Sequence, residues 1–174
     1  MAKVFGAMSA IDFAVHFAEV AAKLETGLTE TMDKAAEIVQ KEAKEILGNY
    51  QEGIGPFGSW PELASSTQSQ RENQGFNPNE PLLRDGTLRK NIERSAEMFE
   101  SQVGVPSKLV SHSYDKRTVD IGDVAIWQEL GTSDGKIPPR PFLGIAALKK
   151  ADEVEAIIGG GFLLELLPPK RIIK

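Results

Sequence analysis

The stretch of sequence that decides the fold is FAVHFAEVAAKLETGLTETMDKAAEIVQKEAKEI, residues 13–46. Its apolar residues recur at spacings of three and four: Phe13, Phe17, Val20, Leu24, Leu28, Met32, Ala35, Val39, Ala43 and Ile46. That period is typical of a helix with one apolar face. Gly48 supplies a glycine stop, and Ser9 with Asp12 resembles a capping box at the start. The sequence therefore predicts a helical region over residues 1–48, whose apolar stripe needs a partner surface.

Gly27 lies inside this stripe. A glycine costs about 1 kcal/mol relative to alanine in a helix interior, so a kink or a break near residues 26–29 stays open. Because the apolar phase continues across Gly27, one long helix is favoured.

The periodicity is lost over residues 49–81, which are polar and punctuated by glycine and proline. The pattern predicts a long irregular loop, and loops of this length are usually functional or mobile. Trp60 and Leu63 are expected to anchor one short helical turn within it, with Ser59 as its cap.

Residues 82–158 are predicted to form the α+β core. The sequence favours a short helix at 82–92, antiparallel strands around 96–105, 109–110 and 118–121 with a polar turn at 115–117, and helices at 124–130 and 142–158. The glycines at 159–161 are expected to end the last helix, and FLLELL after them is ambiguous between helix and strand. Residues 159–174 are interpreted as a C-terminal tail.

Together these elements predict a single α+β domain over residues 1–174. A long N-terminal helix packs on a small antiparallel sheet, with further short helices and the long irregular loop. A chain of 174 residues is large enough to bury one core.

Composition restricts the function classes. The chain has no cysteine, which excludes disulfides and thiolate zinc sites. Its net charge of -5 argues against broad attraction to nucleic acid or anionic lipid. The only basic cluster in the linear sequence is Lys170, Arg171 and Lys174, interpreted as a solvated tail. No apolar run is long enough for a membrane span or a secretory signal, so synthesis in the cytoplasm is expected.

Motifs for catalysis are lacking in the sequence. His16 and His112 have no metal-ligand spacing, and GIGPFG at residues 53–58 lacks the lysine and the strand-to-helix setting of a phosphate loop. No catalytic triad or nucleophile elbow supports the many carboxylates. The sequence favours a protein that is not an enzyme and has no cofactor or metal.

Three segments in order carry a resemblance: SWPELASST at 59–67, PLLRDGTLRKNIE at 81–93 and IWQELGTSDGKIPPRPFLGIA at 126–146. Together they resemble the tail-completion and neck proteins of tailed bacteriophages, a tail-component family that includes phage virion morphogenesis proteins. The likeness spans about residues 32–150. The matching residues are Trp60, Thr67, Leu83, Arg84, Gly86, Leu88, Glu129, Gly131, Thr132, Pro139, Arg140, Pro141, Phe142 and Leu143. Trp127 stands where the family commonly has tyrosine, and Asp85 to Thr87 replace its usual small pair.

The resemblance implies a structural virion protein that forms a ring, with six copies expected, at the head–tail junction. Its implied partners are further copies of itself and the tail tube, terminator or head-connector proteins, with no specific nucleic acid and no membrane. The implied location is the virion, and the host cytoplasm during assembly. The alternative is a helical adaptor or scaffold unrelated to phage, and a small hydrolase is less favoured than either.

Two contacts are expected from the residues themselves. The face of the sheet opposite the core, or part of the long stripe, should carry a contact between subunits, because the stripe exceeds what a small sheet can cover. Glu129 and Arg140 are expected to form an ion pair that fixes the proline-rich crossing. The plain structural interpretation of the third motif is that Gly131 ends a helix and Phe142 fills the core.

Overall fold

The structure is a computed structural model that describes residues 10–111 and 117–166. Its elements are α1 Ala10–Glu45, α2 Ser65–Asn73, α3 Thr87–Lys90, β1 Glu93–Ala96, β2 Ser101–Gly104, β3 Leu109–Ser111, β4 Thr118–Asp120, α4 Ile121–Leu130, α5 Leu143–Lys149 and α6 Ala151–Leu166. The fold is α+β, as predicted, with a long N-terminal helix, two small antiparallel sheets and several short helices.

The predicted long helix is confirmed as one element, since α1 continues past Gly27 without a break. Its C-terminal half is buried, with Leu28 2% and Ala43 0% exposed. Residues 14–23 are exposed throughout. Gly48 turns the chain after α1 with a φ of 99°, while the predicted cap Ser9 lies outside the described residues. The stripe is therefore covered within the described chain only in its second half.

The buried half of α1 packs against the β1–β2 hairpin, α5 and α6. Lys150 precedes α6 and lies 3.9 Å from Glu42 of α1. Further along α6, a Cβ added at Gly161 would lie 2.4 Å from the side chain of Thr31. Because Thr31 precedes Glu42, α6 runs antiparallel to α1.

The predicted single sheet is wrong, because the strands form two separate two-stranded sheets. In the first, Ala96 of β1 pairs with Ser101 of β2, and the backbone N–H of Glu97 donates to Glu100 O at 2.7 Å to close the turn. In the second, Leu109 of β3 pairs with Asp120 of β4. Met98 lies in the turn between β1 and β2. It continues the apolar alternation that begins at Ala96, so the sequence pattern predicted one continuous strand there. Of the turn predicted at 115–117, residues 115 and 116 lie outside the described residues.

The interpretation of 49–81 as irregular apart from one short helical turn is wrong, because α2 occupies Ser65–Asn73. The helical turn predicted near Trp60 is also absent from this described segment, since the N–H of Trp60 pairs in extended form with Gln51 O at 2.9 Å. Trp60 and Leu63 are nevertheless buried anchors, as expected. The apolar periodicity does not predict α2, because the one buried residue of this helix is Arg71 and the helix has no apolar stripe.

The helix predicted at 82–92 is reduced to the four residues of α3. Positive φ angles at Leu82 (59°) and Gly86 (77°) keep the preceding segment out of the helix. α4 begins earlier than predicted because Asp120 caps it, accepting from the N–H of Gly122 at 2.8 Å.

The helix predicted at 142–158 is two helices, α5 and α6, that meet at Lys150. The glycine stop predicted at 159–161 is wrong, because α6 continues through those residues to Leu166. Residues 159–166 therefore belong to a helix and not to a tail, and FLLELL up to Leu166 is helical. Residues 167–174, with Lys170, Arg171 and Lys174, lie outside the described residues.

The hydrophobic core lies at the C-terminal end of α1, where α3, α4 and α5 converge. Ile92 and Ile121 are 1% exposed, and Phe142 and Ile145 are 0% exposed. Trp60 reaches the same cluster from the long connection. Residues from all three motif segments therefore surround one core.

Candidate functional site

Arg140 joins the first and third motif segments. Its side chain is inside the fold, with 5% of the residue exposed. The guanidinium donates to Pro61 O from Nε at 3.2 Å and from Nη2 at 2.9 Å, and Nη2 also donates to Glu62 O at 3.1 Å. Its backbone N–H donates to Gln128 O. Arg140 thus fixes the proline-rich crossing against the start of the long connection.

The predicted ion pair between Glu129 and Arg140 is wrong. Glu129 Oε2 accepts from the backbone N–H groups of Phe142 and Leu143 at 2.8 and 3.0 Å, and Oε1 accepts from Gly144 at 2.8 Å. A helix leaves its first N–H groups without partners, and a carboxylate also favours that end of the helix dipole. Glu129 therefore caps α5, while the bonds of Arg140 go to carbonyl oxygens.

Gly131 and Thr132 build the turn between α4 and the crossing. Gly131 ends α4 with a φ of 77°, and a Cβ there would lie 3.0 Å from Ile137 O. Thr132 Oγ1 donates to Asp134 Oδ1 at 2.7 Å and accepts from the N–H of Ile137 at 3.1 Å. The Thr132 hydroxyl lowers the pKa of Asp134 below its usual value. The prediction that Gly131 ends a helix is confirmed.

The other motif residues divide between packing and backbone geometry. Those in or beside the core are Trp60, Leu88, Pro141 and Phe142, all buried. Three others shape the backbone or pack against glycines. Leu83 packs against Gly48, and Pro139 packs against Gly131. Gly86 precedes α3 and has a positive φ. The prediction that Phe142 fills the core is confirmed.

The remaining motif residues, Thr67, Arg84 and Trp127, line an open cleft of about 660 Å³, together with Leu88 and Arg140. We call it the basic cleft. Its walls are α2, residues 82–88, α4 and residues 136–140. Five cations line it: Arg71, Arg84, Arg117, Lys136 and Arg140. Two carboxylates, of Glu62 and Asp85, also line it, so the cleft is cationic in a chain of net charge -5.

Arg71 is the most informative of these cations, because it is 7% exposed in a helix with no other buried residue. Nη1 donates to the carbonyl oxygens of Glu80 and Leu83, while Nε is buried and has no hydrogen-bond partner. Burial lowers the pKa of Arg71, and the nearby charge of Arg84 lowers that pKa further. Burial likewise lowers the pKa of Arg140. Two guanidinium groups are thus held in the wall of the cleft by backbone oxygens.

The apolar part of the cleft includes a strained residue. Leu82 has a φ of 59°, the one positive φ at a non-glycine residue in the described part of the chain. Such a conformation costs on the order of 1–3 kcal/mol, and residues of this kind cluster at functional sites. Leu82 lines the cleft beside Leu63, Ile121 and Val124.

The sequence did not reveal this cleft. Arg71, Arg117 and Lys136 were not predicted as site residues, because they come from three distant segments with no local basic run. The linear pattern instead placed the basic cluster in the tail. The available signal was Arg71 itself, at a helical spacing from Thr67 and Gln74 in a stretch with no apolar residue.

In residues 10–111 and 117–166, no group of three or more His, Cys, Asp or Glu side chains could hold a metal ion. Of the helices in those ranges, none is long and apolar enough to span a bilayer.

Comparison with known proteins finds no matching family model, no matching curated protein and no matching solved structure.

Proposed function

We propose that this chain is a structural virion protein, a tail-completion or neck component that forms a ring at the head–tail junction of a tailed bacteriophage or prophage. It acts by binding other proteins and carries out no reaction. Its partners are copies of itself, expected to number six, and a tail tube, terminator or head-connector protein. It is made in the host cytoplasm and ends in the virion.

The observation that carries the proposal is the mutual binding of the motif segments. Arg140 of the third segment binds the carbonyl oxygens of Pro61 and Glu62 in the first, and Leu88 of the second packs in one core with Trp60 and Phe142. Residues that give the resemblance are thus the ones that hold this fold together. Because the residues that carry the resemblance make these contacts, the contacts support the proposed kinship, and the proposed role follows from the resemblance.

Two surfaces offer contacts to partners. The first is the N-terminal arm, residues 14–23 of α1, which is exposed and includes Val15 at 55% and Val20 at 49% exposed. Apolar surface of this kind on one helix favours a protein contact. The second is the basic cleft at the other end of α1. Ring subunits need two different contact surfaces, because a head-to-tail interface joins unlike patches.

The test is cryo-electron microscopy of purified particles, combined with deletion of the gene. Density for this fold at the head–tail junction is expected, and deletion should give separate heads and tails that a plasmid copy rejoins. Intact, infectious particles without this chain would overturn the proposal and favour the adaptor alternative. An Arg140→Met variant expressed in the deletion strain should rescue poorly, while Lys34→Glu, at an exposed position outside the arm, serves as a surface control.

A further inference from the structure

The β1–β2 hairpin ends in an acidic tip with an apolar residue at its point. The turn, Glu97 to Glu100, is closed by the N–H of Glu97 donating to Glu100 O. Phe99 is 65% exposed, and the flanking Glu97 and Glu100 are exposed as well. Gln102 Nε2 donates to Glu100 Oε1 at 2.7 Å and orients that carboxylate. We call residues 97–100 the hairpin tip.

The hairpin tip points away from the basic cleft of its own chain. Gln40 Nε2 donates to Ile92 O at 2.7 Å and Arg94 binds Asp33 at 2.9 Å, so β1 runs toward the N-terminal end of α1. The cleft lies at the opposite end, where Arg89 next to Leu88 donates to Leu47 O.

The separation is too large for a contact within one chain. α1 from Asp33 to Leu47 spans roughly 20 Å at about 1.5 Å per residue. The strand beyond Arg94 adds roughly 10 Å in the same direction at about 3.3 Å per residue. A rigid hairpin packed on α1 cannot fold back over that distance, so any cleft that receives the tip belongs to another copy.

The tip and the cleft complement each other in charge and in apolar content. The tip presents two carboxylates around Phe99. The cleft is lined by five cations around Leu63, Leu82 and Val124; Arg71 and Arg140 are buried in its wall, and Lys136 also pairs with Asp134 at 2.9 Å. Opposite charges at the rim steer encounter and fix register, and a buried aromatic anchor supplies affinity. The strained backbone at Leu82 is the feature expected of a binding wall.

An acidic protein segment fits this cleft better than nucleic acid. Phosphate backbones are bound by cationic surfaces with little apolar lining, whereas this cleft has an apolar floor and two carboxylates of its own. The chain also carries a net charge of -5, which opposes long-range attraction of a polyanion.

We infer that the hairpin tip of one copy docks in the basic cleft of the next, so that Phe99 enters the cleft between Glu97 and Glu100. This contact joins unlike surfaces at opposite ends of the molecule, and repetition closes a ring if the rotation allows it. The inference deepens the proposed function and rests on it, because it names the surfaces by which ring subunits join.

The first experiment is a charge exchange on the full chain. Tip variant Glu97→Lys with Glu100→Lys, and cleft variant Arg117→Glu with Lys136→Glu, each place like charges together. Each alone should weaken self-association by on the order of tenfold or more in sedimentation velocity, since like charges then face each other. A mixture of the two variants, or all four changes in one chain, should restore association. The control variants are Glu52→Lys with Glu72→Lys, and Lys34→Glu with Lys108→Glu, all at exposed positions.

The second experiment captures a weak contact. Because the chain has no cysteine, a Glu97→Cys variant mixed with a Lys136→Cys variant can form a disulfide only between engineered positions. Under mild oxidation the mixed pair should cross-link faster than Glu52→Cys with Lys136→Cys, and 1 M salt should reduce the difference. Equal rates for the pair and the control would overturn the inference.

Two further outcomes separate the possible explanations. Binding of a short DNA duplex by the wild type that is lost in the Arg117→Glu, Lys136→Glu variant, while self-association of that variant is unchanged, would overturn the inference in favour of nucleic acid. Absence of the chain from particles would overturn the proposed function alone, because the cross-link and the charge exchange are measured on purified protein.

Discussion

The carboxylate of Glu129 lies 2.8 Å from the backbone nitrogen of Gly144 and accepts its hydrogen bond. The same side chain accepts from Phe142 and Leu143, so it binds three successive N–H groups at the start of α5. Its own backbone belongs to the last turn of α4. One side chain therefore sets the angle between two helices across the proline-rich crossing.

Glu129→Ala is expected to lower the free energy of unfolding by about 1–3 kcal/mol, because it leaves the half-buried N–H groups without a partner. The free energy of unfolding of Glu129→Gln should lie between those of Glu129→Ala and the wild type. Its amide oxygen can still accept from an N–H, but its amide nitrogen cannot. Urea unfolding of both variants, with the exposed Glu52→Ala as control, measures this. A Glu129→Ala protein as stable as the wild type would refute the capping role.

Arg140→Met should destabilise the chain by about 1.5–3 kcal/mol, because it removes charge-assisted hydrogen bonds to Pro61 O and Glu62 O. Arg140→Lys should recover only part of the loss, because one ammonium group cannot reproduce the planar fork. Lys136→Met is the matched control, since the Lys136 side chain is 83% exposed. Full stability of Arg140→Lys in urea unfolding would show that charge alone suffices.

The sequence predicted the elements whose burial is apolar and periodic. The apolar stripe from Leu28 to Ile46 predicted α1. Gly131 of the third motif, followed by the proline-rich crossing, predicted the end of α4. The sequence pattern did not predict α2, because the residue that packs this helix against the fold is the polar Arg71 and the helix has no hydrophobic periodicity. It also failed at 159–161, where α6 continues through all three glycines and Gly161 packs closely against Thr31 of α1.

The candidate site was less predictable than the fold. Glu129 and Arg140 were both recognised as important, but their partners are backbone atoms, which carry no sequence signal. The basic cleft combines cations from α2, from residue 117 and from residue 136. Only the tertiary structure brings these segments together, so linear charge patterning could not reveal the cleft.

Gly160→Ala and Gly161→Ala should change stability in opposite directions. Gly160 has nothing within 4 Å of an added Cβ, so alanine should stabilise α6 by up to about 1 kcal/mol. At Gly161 the added Cβ would lie 2.4 Å from Thr31, which is 7% exposed and stiff. Gly161→Ala should therefore push α1 and α6 apart and lower the free energy of unfolding by about 1–3 kcal/mol. Thermal unfolding of the pair decides this, and stabilisation by both would mean that α1 and α6 do not approach closely at Thr31.

The pairing of Asp33 with Arg94 should make the stability of the fold depend on pH. The hydrogen bond from Arg94 lowers the pKa of Asp33 below its ordinary value of 3.8. A carboxyl with a lower pKa in the folded state stabilises the fold above that ordinary value and loses this effect as the pH falls through the folded-state pKa. Asp33→Asn should therefore be less stable than the wild type at pH 7, with the difference shrinking below pH 3.8. Added salt should also reduce the difference, because the pair is partly exposed. Thermal unfolding across that range tests this, with Glu52→Gln as control, and a difference independent of pH would exclude the pair as its source.

The N-terminal arm should matter for assembly and not for folding. Val15 is 55% exposed, so Val15→Asp is expected to change the free energy of unfolding by no more than about 0.5 kcal/mol. Leu28, in the buried half of α1, is 2% exposed, so Leu28→Asp should cost on the order of 3 kcal/mol or more by burying an unpaired charge. If the arm is a contact between ring subunits, Val15→Asp protein should fold normally yet fail to enter particles in a deletion strain. Lys34→Glu, at an exposed position of α1 outside the arm, controls for added negative charge. Normal incorporation of Val15→Asp would remove this part of the arm from the assembly surface, while unfolding of the isolated variant would mean that Val15 is covered within the monomer.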